Sequence, residues 1–141
     1  MSKTRIPSAL RRLVRERANE RCEYCLIPEI LTFATHEIDH IIAEKHGGLT
    51  EENNLALSCT LCNQYKGTDL TSIDPDTGKI VPLYHPRQDV WLEHFLLKDA
   101  MIIPSSAKGR VTVRLLQFNR PERIEERELL IQTGLLLFPR R

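Results

Sequence analysis

The chain has 141 residues, 41% of them hydrophobic and 28% charged, with a formal net charge of +1. That balance is ordinary for a soluble globular protein, and the length suits a single domain over residues 1–141. No run approaches the roughly 18 apolar residues of a membrane span, and residues 1–5 lead into no apolar signal-type stretch, so the expected compartment is the cytoplasm.

In chain order, Pro7 and Ser8 open a helix predicted over about residues 7–20, because proline suits a first turn and Leu10, Val14 and Ala18 recur every four residues. Residues 1–21 hold seven Lys and Arg against two Glu, a local +5 within a nearly neutral chain. Such a stripe reaches phosphates, with Arg11, Arg12 and Arg15 as candidates; a merely solvated helix face is the plain alternative. Residues 32–42 favour a strand anchored by Phe33, Ile38, Ile41 and Ile42, and a turn follows at His46, Gly47 and Gly48. Residues 50–54 form a loop, Leu55, Ala56, Leu57 and Ser58 run on as a second strand, and a short helix starts at Cys62 and stops near Gly67.

Beyond this, residues 72–90 are rich in turn formers and read as a connector. Short strands are predicted over residues 91–95, 100–103 and 109–115. A last helix is predicted from Pro121 to about Gln132, with Ile124, Leu129 and Leu130 apolar. Trp91 and Phe95 are expected in a core; the roles of His85, Arg87 and His94 stay open. Residues 72–141 thus form a small C-terminal strand and helix extension without an assigned role, and the fold class is α+β.

Two Cys-x-x-Cys pairs, Cys22/Cys25 and Cys59/Cys62, enclose 33 residues, more than the 15–20 or so inside a simple zinc ribbon. In a reducing compartment such pairs bind metal or act in redox chemistry. A redox site needs one pair, whereas two pairs suit a tetrahedral all-thiolate zinc site that is structural because it keeps no open position. Four reduced thiols or an iron–sulphur cluster are the alternatives. Between the pairs, Asp39 and His40 are neighbours on the predicted strand, so their side chains point to opposite faces. The carboxylate there is a natural ligand for a hard divalent ion.

Three segments now stand in order over about residues 20–68: Cys-Glu-Tyr-Cys; His-Glu-Ile-Asp-His-Ile-Ile-Ala-Glu-Lys-His-Gly-Gly; and Asn-Asn-Leu-Ala-Leu-Ser-Cys-Thr-Leu-Cys-Asn-Gln-Tyr-Lys-Gly. Together they resemble an HNH endonuclease of the zinc-knuckle type, in its HNN variant. The resemblance implies a ββα-metal (His-Me finger) core and cleavage of DNA phosphodiesters with one divalent ion. It implies His40 as general base, Asp39 as metal ligand, and Asn54 as a brace that orients His40 through backbone hydrogen bonds. Asn63 falls on the last motif position, where the family name expects histidine, and is implied as the second ligand. Its amide oxygen is harder than imidazole and with Asp39 favours magnesium, calcium or manganese over zinc or nickel, magnesium or manganese being the expected catalytic ion; a helix N-cap is its plainer role.

An imidazole with an unperturbed pKa of about 6.5 suits the base role. Lys66 is a candidate phosphate contact at the end of the short helix. His36 and His46 are expected to be ordinary surface histidines. DNA is the expected partner with RNA still open, and the chain is compatible with a monomer or a homodimer. Two rivals stand beside this reading: a catalytically inactive zinc-dependent nucleic-acid-binding module, and a thiol redox protein.

Overall fold

The computed structural model describes residues 5–29 and 34–136. It mixes helices with three antiparallel strand pairs. The chain divides into two compact units, Met1–Asp69 with His85–Arg87, and Leu70–Tyr84 with Gln88–Arg141.

In the first unit, helix α1 (Ser8–Arg17) follows Pro7 and buries its apolar stripe. Val14 is fully covered and clusters with Ile6, Leu55 and Leu57, while Leu10, Ala18 and Ile38 pack against them. Covering one such aliphatic side chain contributes roughly 1.5–3 kcal/mol. The helix stops short of residue 20 because Asn19 and Glu20 take φ of 52° and 56°, which reverses the chain toward the first cysteine pair. Strand β1 (Glu37–His40) is shorter than the predicted strand, whose anchor Phe33 lies outside the described residues. It pairs antiparallel with β2 (Leu55–Ser58), Ile38 opposite Leu57 and His40 opposite Leu55.

Helix α2 (Thr60–Lys66) starts earlier than Cys62, because Cys59 occupies the N-cap and its Sγ accepts the Cys62 N–H. Asn63 therefore sits inside the helix rather than at its N-cap. Gly67, at a φ of 53°, ends α2.

The second unit departs further from expectation. Residues 72–90 hold a hairpin where a connector was predicted, β3 (Thr71–Ile73) pairing with β4 (Ile80–Pro82). Its turn formers close a tight loop: the Asp74 N–H donates to Lys79 O, and the Asp76 N–H and Thr77 hydroxyl donate to the Asp74 carboxylate. Residues 91–95 begin as a one-turn helix, α3 (Trp91–His94), and continue as β5 (Phe95–Lys98). This strand pairs with β6 (Met101–Pro104) across Asp99 and Ala100, both at positive φ.

The strand predicted over 109–115 is helix α4 (Ala107–Leu115). Val111, Val113 and Leu115 alternate as a strand would, but Ser106 caps a helix there, its Oγ accepting the Gly109 N–H at 2.9 Å. Gly109 also admits the backbone of α3, since a Cβ at that position would lie 2.3 Å from His94 O. Helix α5 (Pro121–Gln132) keeps its predicted range and buries Leu130, but the rest of its buried face differs from the predicted one. Arg123 and Arg127 turn inward while Leu129 is 61% exposed. Arg123 donates to Leu116 O, and Arg127 to Ala100 O and Phe118 O, so guanidiniums satisfy carbonyls left over where α4 ends and in the β5–β6 turn. Phe95 is the centre of an aromatic core, 5.0 Å from Trp91, 5.3 Å from Tyr84 and 5.7 Å from Phe118 between ring centroids. Among the described residues no helix is long and apolar enough to cross a membrane.

Candidate metal and catalytic sites

The first cysteine pair lies in a tight turn. Cys22 N–H donates to Ile27 O and Leu26 N–H to Cys22 O, with Leu26 at a φ of 71°. The second pair is the start of α2. Their four sulphurs lie within 4.8 Å of one another, all buried, and Cys25 Sγ is 3.6 Å from Cys59 Sγ. Tetrahedral zinc–thiolate bonds of about 2.3 Å put the sulphurs about 3.8 Å apart, so the four residues are positioned to bind a metal ion. The Cys25 and Cys62 N–H groups each donate to the first sulphur of their own pair at 3.4 Å. Hydrogen bonding with Cys22 and Cys25 pushes the Cys59 thiol up, and burial followed by the neighbouring sulphurs pushes Cys62 up. Only a cation makes four adjacent thiolates favourable.

Helix α2 meets β1 along two rungs. Alternation brings Glu37 and Asp39 to one face of the strand, and an i, i+3 step brings Asn63 and Lys66 to one face of the helix. In the outer rung the Asn63 Nδ2 donates to Glu37 Oε2. In the inner rung Lys66 Nζ lies 3.1 Å from Asp39 Oδ2 and also donates to Ile41 O at 3.0 Å. The Tyr24 hydroxyl, from between the first two cysteines, donates to the same Asp39 Oδ2 at 2.8 Å. Burial holds the Asp39 carboxyl above its ordinary range, and Lys66 and Tyr24 pull it back only in part. Burial, then the Asp39 charge, pushes the Tyr24 phenol well above its usual value, which keeps it a donor. Lys66, expected at the surface as a phosphate contact, is 2% exposed and spends its charge inside.

His40 ends β1 on the opposite side from Asp39. Its Nε2 lies 2.8 Å from Thr50 Oγ1 and 3.5 Å from a Glu44 oxygen, and its ring is almost wholly covered. Nδ1 has no protein partner among the described residues. The neighbouring loop hangs on Asn54, which is buried: its Oδ1 accepts the Ile42 N–H at 2.8 Å, and its Nδ2 donates to Ile42 O and Leu49 O at 2.9 Å each. Asn54 O in turn accepts the Ile41 N–H. Three amide bonds and one carbonyl thus fix residues 41–49 directly beyond His40. Gly48 belongs to this brace, since a Cβ there would sit 1.7 Å from Ile42 O.

The basic helix divides its arginines. Arg15 makes two bonds to Glu29 at 2.8 and 3.0 Å and one to His36 O, and Arg17 donates to Glu52 O and Leu55 O. These two fasten α1 to the rest of the unit. Arg11 uses Nε on Ile6 O but stays exposed, and Arg12 is exposed. His36, expected at the surface, is buried with Nε2 on Ile27 O at 2.9 Å, whereas His46 keeps an exposed contact with Thr68 O. Arg87 pairs with Glu23, and His94 bonds Ser106.

The residue-by-residue reading overlooked Tyr24, Glu37, Glu44, Thr50 and Arg17. Glu37 carried a readable signal in its two-residue step from Asp39 on a strand, and Glu44 in its four-residue step from His40; the others matter through contacts 10 to 38 residues away in sequence. Residues 22–69, about a third of the chain, match the family model described as HNH endonuclease. The matched segment holds all four cysteines, β1, β2 and α2. No curated protein and no solved structure gave a match.

Proposed function

We propose that this chain, carrying an HNH endonuclease segment at residues 22–69, hydrolyses phosphodiester bonds of DNA, with His40 as general base and a divalent cation held by Asp39 and Asn63. In this reading the four cysteines hold a structural zinc, and β1, β2 and α2 are the ββα-metal core. The observation that carries it is the state of His40. Its Nε2 is engaged by Thr50 and faced by Glu44, so the ring is oriented and the tautomer with its proton on Nε2 is favoured, leaving Nδ1 to accept a proton.

The residues then act as follows. His40 takes the proton of an attacking water at Nδ1. Asn54 keeps the loop beyond His40 from moving, so the ring is fixed before substrate arrives. Asp39 and Asn63 offer hard oxygen donors that fit magnesium or manganese, which would offset charge on the phosphate oxygens. Arg11 and Arg12 meet the DNA backbone, and the affinity they supply falls steeply with salt.

One observation favours a second reading. The Lys66 ammonium already neutralises Asp39, which suits a zinc-dependent nucleic-acid-binding module without catalysis. A plasmid assay with magnesium or manganese separates the two. Wild type is expected to nick plasmid, and His40→Ala, retaining its zinc, is expected to lose about 10²- to 10⁴-fold in rate. Equal cleavage by both removes His40 from the reaction, and DNA binding without cleavage by either protein establishes the binding module.

A further inference from the structure

We propose that Tyr24 and Glu37 are positioning residues of the cation site: each pins one atom of a ligand side chain and leaves the partner oxygen, Asp39 Oδ1 or Asn63 Oδ1, turned out for the cation. This rests on the reading above, that Asp39 and Asn63 hold the divalent ion.

The outer rung fixes the amide. A carboxylate only accepts hydrogen bonds, so the atom of Asn63 that faces Glu37 is its nitrogen. The amide oxygen then faces the other way. Without Glu37 the amide turns freely, and half of its orientations present N–H groups to a cation.

The inner rung fixes the carboxylate. Tyr24 and Lys66 both bind Asp39 Oδ2, and no described residue bonds Oδ1. The Asp39 side chain keeps 6% of its surface exposed. Lys66 supplies charge on a flexible stem that also serves main-chain carbonyls. Tyr24 supplies direction: a rigid, 1% exposed ring with one neutral donor. Its backbone lies between Cys22 and Cys25, whose sulphurs join those of α2. The thiolate cluster therefore anchors the hydroxyl that aims the carboxylate, and the same cluster anchors the helix that carries Asn63. One knuckle thus sets the bearing of both oxygens. Partners of this kind change metal affinity by about 10- to 100-fold when removed.

The test titrates manganese into the full, zinc-loaded chain and follows free Mn²⁺ by electron paramagnetic resonance. The site is defined as the Mn²⁺ binding that Asp39→Asn abolishes. Tyr24→Phe and Glu37→Ala are each expected to weaken that binding about 10- to 100-fold with zinc stoichiometry unchanged. Glu37→Gln keeps an acceptor oxygen and is expected to restore binding to within a few-fold. Cleavage by Tyr24→Phe and Glu37→Ala should recover at saturating manganese, because the effect lies on metal affinity rather than on the rate at saturation. Wild-type affinity in both variants overturns the proposal and leaves the nuclease reading standing, as does a loss that appears only together with loss of zinc. Absence of an Asp39-dependent site in wild type overturns both.

Discussion

Each unit covers one carboxylate and gives it a cation, and the two are treated in opposite ways. Asp74 in the second unit receives two bonds from Arg110, one from the Asp76 N–H and one from the Thr77 hydroxyl. Both oxygens are saturated, and the Arg110 guanidinium holds the carboxyl well below the ordinary range. Asp39 in the first unit is bonded through one oxygen, and burial holds it above that range. A carboxylate whose donors outnumber its costs of burial staples a loop. One left short of donors is stabilised by whatever further cation arrives, so Asp74 acts as a structural group while Asp39 keeps an oxygen free of protein donors, as the proposed ligand role requires.

The largest expected effect breaks the first unit alone. If the four cysteines hold a zinc ion as proposed, chelating it removes a contribution that is on the order of 10 kcal/mol in zinc-finger-like sites. Loss of helix signal on chelation is expected, while the emission of Trp91, the single tryptophan and part of the aromatic core of the second unit, stays unchanged. Parallel loss of both signals contradicts the division into two units.

A middle-sized effect compares the carboxylates directly. Asp74→Asn and Asp39→Asn are expected to change the pH dependence of unfolding in opposite directions, because ionisation favours the folded state at Asp74 and opposes it at Asp39. The Asp74 contribution is present above the unfolded carboxyl value of about 3.9 and is lost as pH falls toward its depressed folded value. The Asp39 contribution is full below about 3.9 and is lost as pH rises through its elevated folded value. Acid titration of each variant against wild type checks both; the same sign in both variants refutes the contrast.

The smallest effect sharpens the account of the knuckle. Leu26 holds a left-handed backbone that costs a non-glycine residue about 1–2 kcal/mol. Leu26→Gly relieves that strain but adds freedom to the unfolded chain, so a net gain below about 1 kcal/mol is expected by denaturant unfolding. A clear destabilisation means that the Leu26 side chain contributes packing that outweighs the strain.

Local chemistry made much of the first unit legible. The cysteine spacing announced a metal site, the four-residue recurrence of Leu10, Val14 and Ala18 announced α1, and the second strand over residues 55–58 read correctly. The second unit was harder, because its local patterns are ambiguous. Val111, Val113 and Leu115 alternate as a strand would, and the decision for a helix came from the Ser106 cap and from the space that Gly109 leaves beside His94. In α5 the apolar residues were legible and Leu130 is buried, but Arg123 and Arg127 share its stripe because leftover carbonyls near its start needed donors.

By itself the sequence determined which atoms were available: four thiolates, one imidazole next to a carboxylate, and amides at positions 54 and 63. Those follow from residue identity and short spacings. Tertiary structure alone decided where the atoms aim. Lys66 turned inward to Asp39, Tyr24 reached across from the knuckle, and Arg15 and Arg17 became staples. Contacts across 14 to 38 residues depend on how strands and helices pack, and no local preference encodes them.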